Sequence, residues 1–374
     1  MKKKNFIYIS ALCALMSFSF TSCGDDEDPI PEVPENPDPT PDQPTEDGSF
    51  MALYFLNSGK MGNNNSSLYM YDVEKEEVVP DYFLAQNGRG LGDTAQDMIV
   101  YGDKMYIAVY GESTIEVTDL RAKSIKQVPT EGQPRAMVSD GGKVYISYYN
   151  GYVARLDTAS LEVEKIVKVG RNPEQLAVAN NKLYVANSGG MDYNTEVGYD
   201  KTVSVIDIPS FTETKKLEVA LNPTCVLADE QGYVYVVSMG NYADVLNTMQ
   251  RIDSKTDEVS PVAACPNATE IAYQDGILYS YYSQYDANWN TTITYTAYNT
   301  QTGVAEEWKK ETTVEKPYKI CVAGSNIYVT ESDYTNNGDV YAFDTAGKLI
   351  LKAGAGLNPM KVVLAQKDNI KCDY

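Results

Sequence analysis

The sequence predicts an all-β fold, a seven-bladed β-propeller closed by pairing of its N- and C-terminal strands. Three observations predict it. A phrase recurs at roughly 40 to 50 residues, the length of a propeller repeat. In it a Pro opens an apolar run, a Gly/Asn/Asp turn follows, a second apolar run ends near a Tyr, and an Asp-centred turn comes after. The runs are short and rich in β-branched and aromatic residues, as in Lys143–Tyr148 and Tyr233–Val237, and no long helical period competes with them. Six copies lie in the chain, and the two ends of the body supply a seventh.

In chain order, the first copy replaces the Pro with Ala95 and runs through Met105-Tyr106 to Thr118-Asp119. Pro134 leads to Val144-Tyr145 and Leu156-Asp157, Pro173 to Leu183-Tyr184 and Ile206-Asp207, and Pro223 to Val234-Tyr235 and Ile252-Asp253. Pro266 leads through Leu278-Tyr279 to Tyr298-Asn299, and Pro317 through Ile327-Tyr328 to Phe343-Asp344. Pro359 to Gln366 supplies an opening strand, and Met51 to Tyr82, with Tyr71-Asp72, the strands that follow it. Between the first two strands stand Gly102-Asp103, Gly141-Gly142, Asn180-Asn181, Asp275-Gly276 and Gly324-Ser325-Asn326, residues that tolerate the positive φ of tight hairpins. The recurring Asp reads as a turn residue bonding its own backbone, not as a repeated catalytic carboxylate.

Residues 1–22 read as an export leader. Lys2-Lys3-Lys4 precede an apolar stretch from Phe6 to Phe20, too short for a membrane span. Phe20-Thr21-Ser22-Cys23 is similar to a bacterial lipobox, which makes Cys23 the lipidated first residue of the mature chain. Gly24-Asp25-Asp26-Glu27-Asp28 is similar to the acidic signal that sends Bacteroidota lipoproteins to the outer face of the outer membrane. The resemblance implies a lipid-anchored protein facing the cell exterior, touching the membrane through its lipid alone. Residues 23–47 form a tether, since the seven prolines between 29 and 47 and their acidic neighbours cannot bury a core. Residues 48–374 form the propeller, roughly 46 residues per blade.

Three of the 31 Lys and Arg lie in the leader; the remaining 28 face 52 Asp and Glu, so the net charge falls from −21 to −24. Such a surface repels nucleic-acid phosphates. Cys13 and Cys23 belong to the leader and lipobox. Cys225, Cys265, Cys321 and Cys372 allow three complete pairings in an oxidising compartment, among which the sequence does not choose; Cys225 and Cys321 fall in first strands, as buried thiols would.

The chain has no His, which removes Ser-His-Asp and Cys-His catalysis and His-ligated zinc. Glu174, Asp192, Glu196, Asp200, Asp244 and Asp286 fall in or near loops without calcium-loop or paired-acid spacing, and Asp192 to Asp200 reads as a solvated acidic loop before a cation site. No metal, cofactor or enzymatic step is expected.

Loops after the second strand and blade-to-blade connections emerge on one face of a propeller. Pro134 to Pro173 is 39 residues, whereas Pro173 to Pro223 is 50 and Pro266 to Pro317 is 51; the surplus falls in loops Asn187–Asp200 and Tyr281–Thr291. Shorter counterparts are Asn57–Ser66, Met239–Asn247 and Glu331–Asn337. They carry Tyr193, Tyr199, Tyr242, Tyr281, Tyr282, Tyr285, Trp289 and Tyr334 among Asn, Gly and Ser, a composition that suits binding: broad rigid rings beside adaptable polar groups. Arg89, Arg135, Arg171 and Asn172 in the connections, with Asn187, complete the candidate ligand set. The competing reading makes the rings loop packing and each Arg a surface ion-pair partner.

Lys182–Asn187, Val203–Asp207 and Val219 to Pro223 resemble the YncE-like propellers over essentially the whole body. With the lipobox, acidic signal, tether and tyrosine-rich loops, the chain resembles the BtuG-type surface lipoproteins of Bacteroides. That resemblance implies capture of a corrinoid, cobalamin, as a transported ligand and delivery to a TonB-dependent outer-membrane transporter. A glycan-binding or a protein-interaction propeller uses the same rings, and a carboxylate-dependent lyase or lactonase lacks an acid paired with a base.

Overall fold

The computed structural model describes residues 50–285 and 291–367. Seven four-stranded antiparallel sheets are arranged in a ring. The inner strands of blades one to seven are Ala95–Tyr101, Pro134–Asp140, Pro173–Ala179, Pro223–Ala228, Glu270–Gln274, Pro317–Ala323 and Pro359–Lys367. Each touches the next around the axis, and the last touches the first. Blade seven joins Pro359–Lys367 to Phe50–Asn57, Ser67–Asp72 and Glu77–Val79, with register from Phe50↔Lys367 to Asn57↔Pro359. The expected closure is therefore a strand pair between the two ends of the body.

Stacking blades on both faces makes every second strand apolar on both sides. Seven hydrophobic clusters result, one in each interface between blades. Tyr54, Tyr106, Tyr145, Tyr184, Tyr235, Tyr279 and Tyr328, the tyrosine of each repeat, are all buried. The recurring Asp closes its turn as expected: Asp157 Oδ1 accepts from the Ala159 and Ser160 amides at 3.1 and 2.7 Å, and Asp344 Oδ1 from those of Ala346 and Lys348 at 2.9 Å each.

Two strand assignments differ from expectation. Pro266 does not open the inner strand of blade five, which starts at Glu270; the Pro266 carbonyl instead accepts from the Met249 amide at 2.7 Å. Tyr281 to Thr291 is not all loop, because the second strand continues to Tyr285 and the third begins at Thr291, paired with it. The Tyr- and Thr-rich sequence of this insertion favours extending the hairpin over leaving it as a loop. The leader, Cys13, Cys23, the tether, Asp286, Trp289 and Cys372 lie outside the described residues. Among the described residues Cys225, Cys265 and Cys321 are buried free thiols.

In blade five, Lys310 Nζ sits 2.9 Å from the Tyr295 ring centroid and 4.8 Å from that of Trp308. Burial pushes its pKa down to about 7, with Glu307 opposing. The rings attract the ammonium, but loss of its hydration is the larger effect. A folded-state pKa below the unfolded one means the unfolded chain binds more protons between about pH 7 and about pH 10, so this group's contribution to stability rises with pH through that window. Lys310→Met is expected to raise the melting temperature by a few degrees near pH 6 and by much less near pH 10. Paired thermal melts at the two pH values check it.

Candidate functional site

At one end of the ring, in six of the seven blades, the amide just past the second strand bonds the carbonyl just before the inner strand. The pairs are Tyr110 to Thr94 at 3.1 Å, Tyr149 to Gln133 at 2.9 Å, Ser188 to Asn172 at 3.2 Å, Met239 to Asn222 at 2.8 Å, Ser332 to Lys316 at 3.1 Å and Ser58 to Asn358 at 3.0 Å. Asn172, Asn222 and Asn358 reach this geometry at positive φ, which Asn tolerates. The latch ties the long loops to the mouth of the axial channel.

Just inside the mouth the inner strands bulge. The register with the second strand skips Gln96, Arg135, Glu174 with Gln175, Thr224, Tyr318 and Met360. A bulge frees a residue from the ladder and re-aims its side chain; here all of these residues line one cavity on the axis, of about 1110 Å³. Its inner ring is Asp97, Arg135, Glu174, Thr224, Glu270, Lys319 and Lys361, and its rim carries Tyr149, Tyr199, Tyr242, Tyr281, Tyr318 and Tyr334.

The rim rings meet in pairs. Tyr199 and Tyr242 stand edge to face at 6.2 Å, Tyr318 and Tyr334 at 5.4 Å, and Tyr110 and Tyr149 at 6.0 Å. Tyr242 and Tyr334 are each 67% exposed at the mouth. Tyr281 is buried and donates to the Tyr318 carbonyl at 2.9 Å, and burial foremost raises its pKa well above the ordinary tyrosine value. Burial, then Glu174, pushes Tyr149 up to about 12. These phenols are neutral hydrogen-bonding groups at physiological pH.

The charged ring is paired across neighbouring blades. Arg135 Nε donates to Glu174 at 2.6 Å, and its Nη1 to Gln96. Lys319 pairs with Glu270, and Lys361 lies 3.5 Å from Asp97. Burial opposes the charge of Arg135 and of Lys319, but Glu174 and Glu270 outweigh it and hold both pKa values above their ordinary ranges; Asp97 does the same for Lys361.

Of the residues expected from sequence, Arg135, Tyr199, Tyr242, Tyr281 and Tyr334 line the cavity. Arg89 lies elsewhere, its Nη2 bonded to both oxygens of buried Glu116 at 2.8 and 2.9 Å and to Ser124 at 3.0 Å. Arg171 gathers Asp192, the Gly198 carbonyl at 2.9 Å and Asp200 at 3.5 Å, so the acidic loop converges on a guanidinium. Asn172 fastens the latch, donating to the Tyr149 carbonyl at 3.1 Å. Asn187 is fully buried, accepting from the Gly170 amide at 3.1 Å and donating to Thr202 and Ser204 at 3.0 and 2.9 Å. Tyr193 is exposed outside the cavity lining, Tyr282 points away from Tyr281 along the same strand, and the Tyr285 backbone ends that strand. Sequence reasoning missed Asp97, Tyr149, Thr224, Glu270, Tyr318, Lys319 and Lys361. The signal that finds most of the ring is position: one or two residues after the Pro or Ala that opens an inner strand.

Among solved structures the chain is similar to Kuenenia stuttgartiensis hydrazine synthase, with a TM-score of 0.57 and 16% identity over 70% of this chain and 86% of that one. It is also similar to the computationally designed Ika8 protein, with a TM-score of 0.54 and 13% identity over 84% and 91%. At such identities the likeness is one of fold alone. No curated protein matches. The family model of DUF5074, a domain of unknown function, matches residues 51–356, and the chain belongs to that family.

Proposed function

We propose that this chain is a surface-tethered capture protein that holds a corrinoid, cobalamin, at the mouth of its propeller and delivers it to a TonB-dependent outer-membrane transporter. The observation that carries the reading is the axial cavity of about 1110 Å³ with exposed tyrosine faces above a polar floor. A corrinoid is a broad apolar macrocycle fringed with amides and a phosphate. Rings such as Tyr242 and Tyr334 cover its face, while the floor satisfies polar groups that would otherwise be buried unpaired. No catalytic step is part of this reading.

The point of chain entry fits delivery. Phe50 begins its strand at the end away from the mouth, because Asn57, at the other end, pairs with Pro359. An anchor at Cys23 is therefore joined to the far side of the body. The intervening Pro-rich residues 23–47 span roughly 75 Å if extended at about 3.1 Å per residue. A nine-residue inner strand spans only about 30 Å. On this reading, a tether of that length, if extended, would be long enough for the mouth to reach a transporter in the same membrane.

Calorimetric titration of purified protein with cyanocobalamin tests the reading, with saturable binding at micromolar ligand or tighter as the expected result. No heat with cyanocobalamin, and binding on a polysaccharide array, would transfer the site to a glycan.

A further inference from the structure

We propose that the floor of the axial cavity is an oxyanion site, formed by Arg135, Lys319 and Lys361, which receives the phosphate or carboxylate of the captured molecule. The inference rests on the capture reading and adds to it the end of the ligand that enters first.

Around the ring the three cations come from blades two, six and seven, whereas blades three, four and five contribute Glu174, Thr224 and Glu270. The cations thus share one arc, with Asp97 of blade one as the carboxylate among them. Asp140 also lines the cavity, so carboxylates outnumber the cations four to three, but access favours the cations. The side chain of Arg135 is 32% exposed against 10% for Glu174, Lys319 25% against 13% for Glu270, and Lys361 34% against 12% for Asp97. In every pair both side chains line the cavity and the cation is the more exposed of the two.

Two of the carboxylates also have other donors. Asp97 accepts from the Met98 and Met137 amides at 2.9 and 2.8 Å, and Glu174 from Ser188 at 3.3 Å. The cations keep donors in hand, since an ammonium has three and a guanidinium five, and each uses only part of its set here. Tyr149 lies under Arg135 at 5.5 Å and Tyr318 near Lys319 at 6.0 Å, so aromatic faces continue directly from the cationic arc to the rim. In a chain of net charge −21 the charged side chains lining the cavity sum to only −1, and three cations stand inside a concave, low-dielectric wall, where a field is focused on whatever enters. The ligand class that fits is a monoanionic or dianionic oxyanion carried on a broad apolar body.

The test compares cyanocobalamin with dicyanocobinamide, which lacks the nucleotide loop and its phosphate. Calorimetry uses the wild-type chain and the Glu270→Gln/Lys319→Gln variant, which removes a cation together with its partner and so orphans no buried carboxylate. A Lys361→Gln variant serves as a second reporter, and a thermal melt of each confirms folding. The expected result is a loss of about tenfold for cyanocobalamin in both variants, less than about twofold for dicyanocobinamide, and a salt dependence that weakens with the loss of each cation. Equal binding of cyanocobalamin by the wild-type and both variants would overturn the oxyanion site and leave corrinoid capture standing. If neither corrinoid binds, capture of a corrinoid fails, and phosphorus NMR of pyrophosphate decides the site. Line broadening present in the wild-type and lost in the variants supports it; no broadening in the wild-type overturns it.

Discussion

A chain ending at Leu357 is expected to lose the cooperative fold altogether. The missing strand, Pro359–Lys367, is the inner strand of blade seven and the partner of Phe50–Asn57 along its whole length. It buries Val362, Val363 and Ala365 in two interfaces, against blade one on one side and blade six on the other. Each large apolar side chain so buried contributes about 1.5–3 kcal/mol, and the strand's removal also strips cover from Leu53 and Phe55. The Pro359 carbonyl that accepts from Thr330 at 2.7 Å and the Val362 carbonyl facing Cys321 go with it. The total is on the order of 10 kcal/mol, comparable to the whole stability of a folded domain. Because the strand is the clasp between the ends, its loss opens the ring as well as thinning one blade. Circular dichroism melts and limited proteolysis of the truncated chain check this. A cooperative transition within a few degrees of the full chain would contradict it. A synthetic peptide covering residues 358–374, added in trans, is expected to restore part of the protection.

The repeat was legible because its physics is local. Tight hairpins need Gly, Asn or Asp at positive φ, the Asp turn closes on its own amides, and a strand between two blades needs apolar side chains on both faces. Closure was legible too, since an unpaired first strand and unpaired later strands at the two ends of the body complete one blade. The binding floor was not. Glu270 and Lys319 are 49 residues apart, as are the charges of no local motif, and each alone reads as a solvated surface charge. What turns Arg135, Glu174 and Thr224 into the lumen is a bulge in each inner strand, and a bulge is set by pairing with the neighbouring strand, which composition does not display. The same limit separates the arginines: Arg89, Arg135 and Arg171 all read from sequence as residues of blade connections, yet Arg135 lies in an inner strand and alone of the three lines the cavity.

That separation makes the second large effect. Arg89→Ala is expected to destabilise the fold by about 2–4 kcal/mol without changing ligand affinity. The Glu116 side chain is fully buried, and Arg89 supplies both of its charged hydrogen bonds, with Ser124 contributing a third contact at 2.5 Å. Removing the guanidinium leaves the buried carboxylate with only its Ser124 contact, and a buried charge that has lost its partner costs more than the pair was worth. Part of the Arg89 side chain is exposed, 37%, which places the effect toward the lower end of what a fully buried pair would show. Its stacking on Phe83, 5.0 Å from ring centroid to guanidinium carbon, adds a packing contribution lost in the same substitution. If the carboxylate is the source of the loss, Arg89→Ala combined with Glu116→Gln should recover much of it, because a neutral amide is far less costly to leave in place. Urea unfolding gives the stability change, and titration of the folded variant with cyanocobalamin gives the affinity. A ligand-binding Arg89 would produce the opposite pair of results: weakened binding with the unfolding midpoint unmoved.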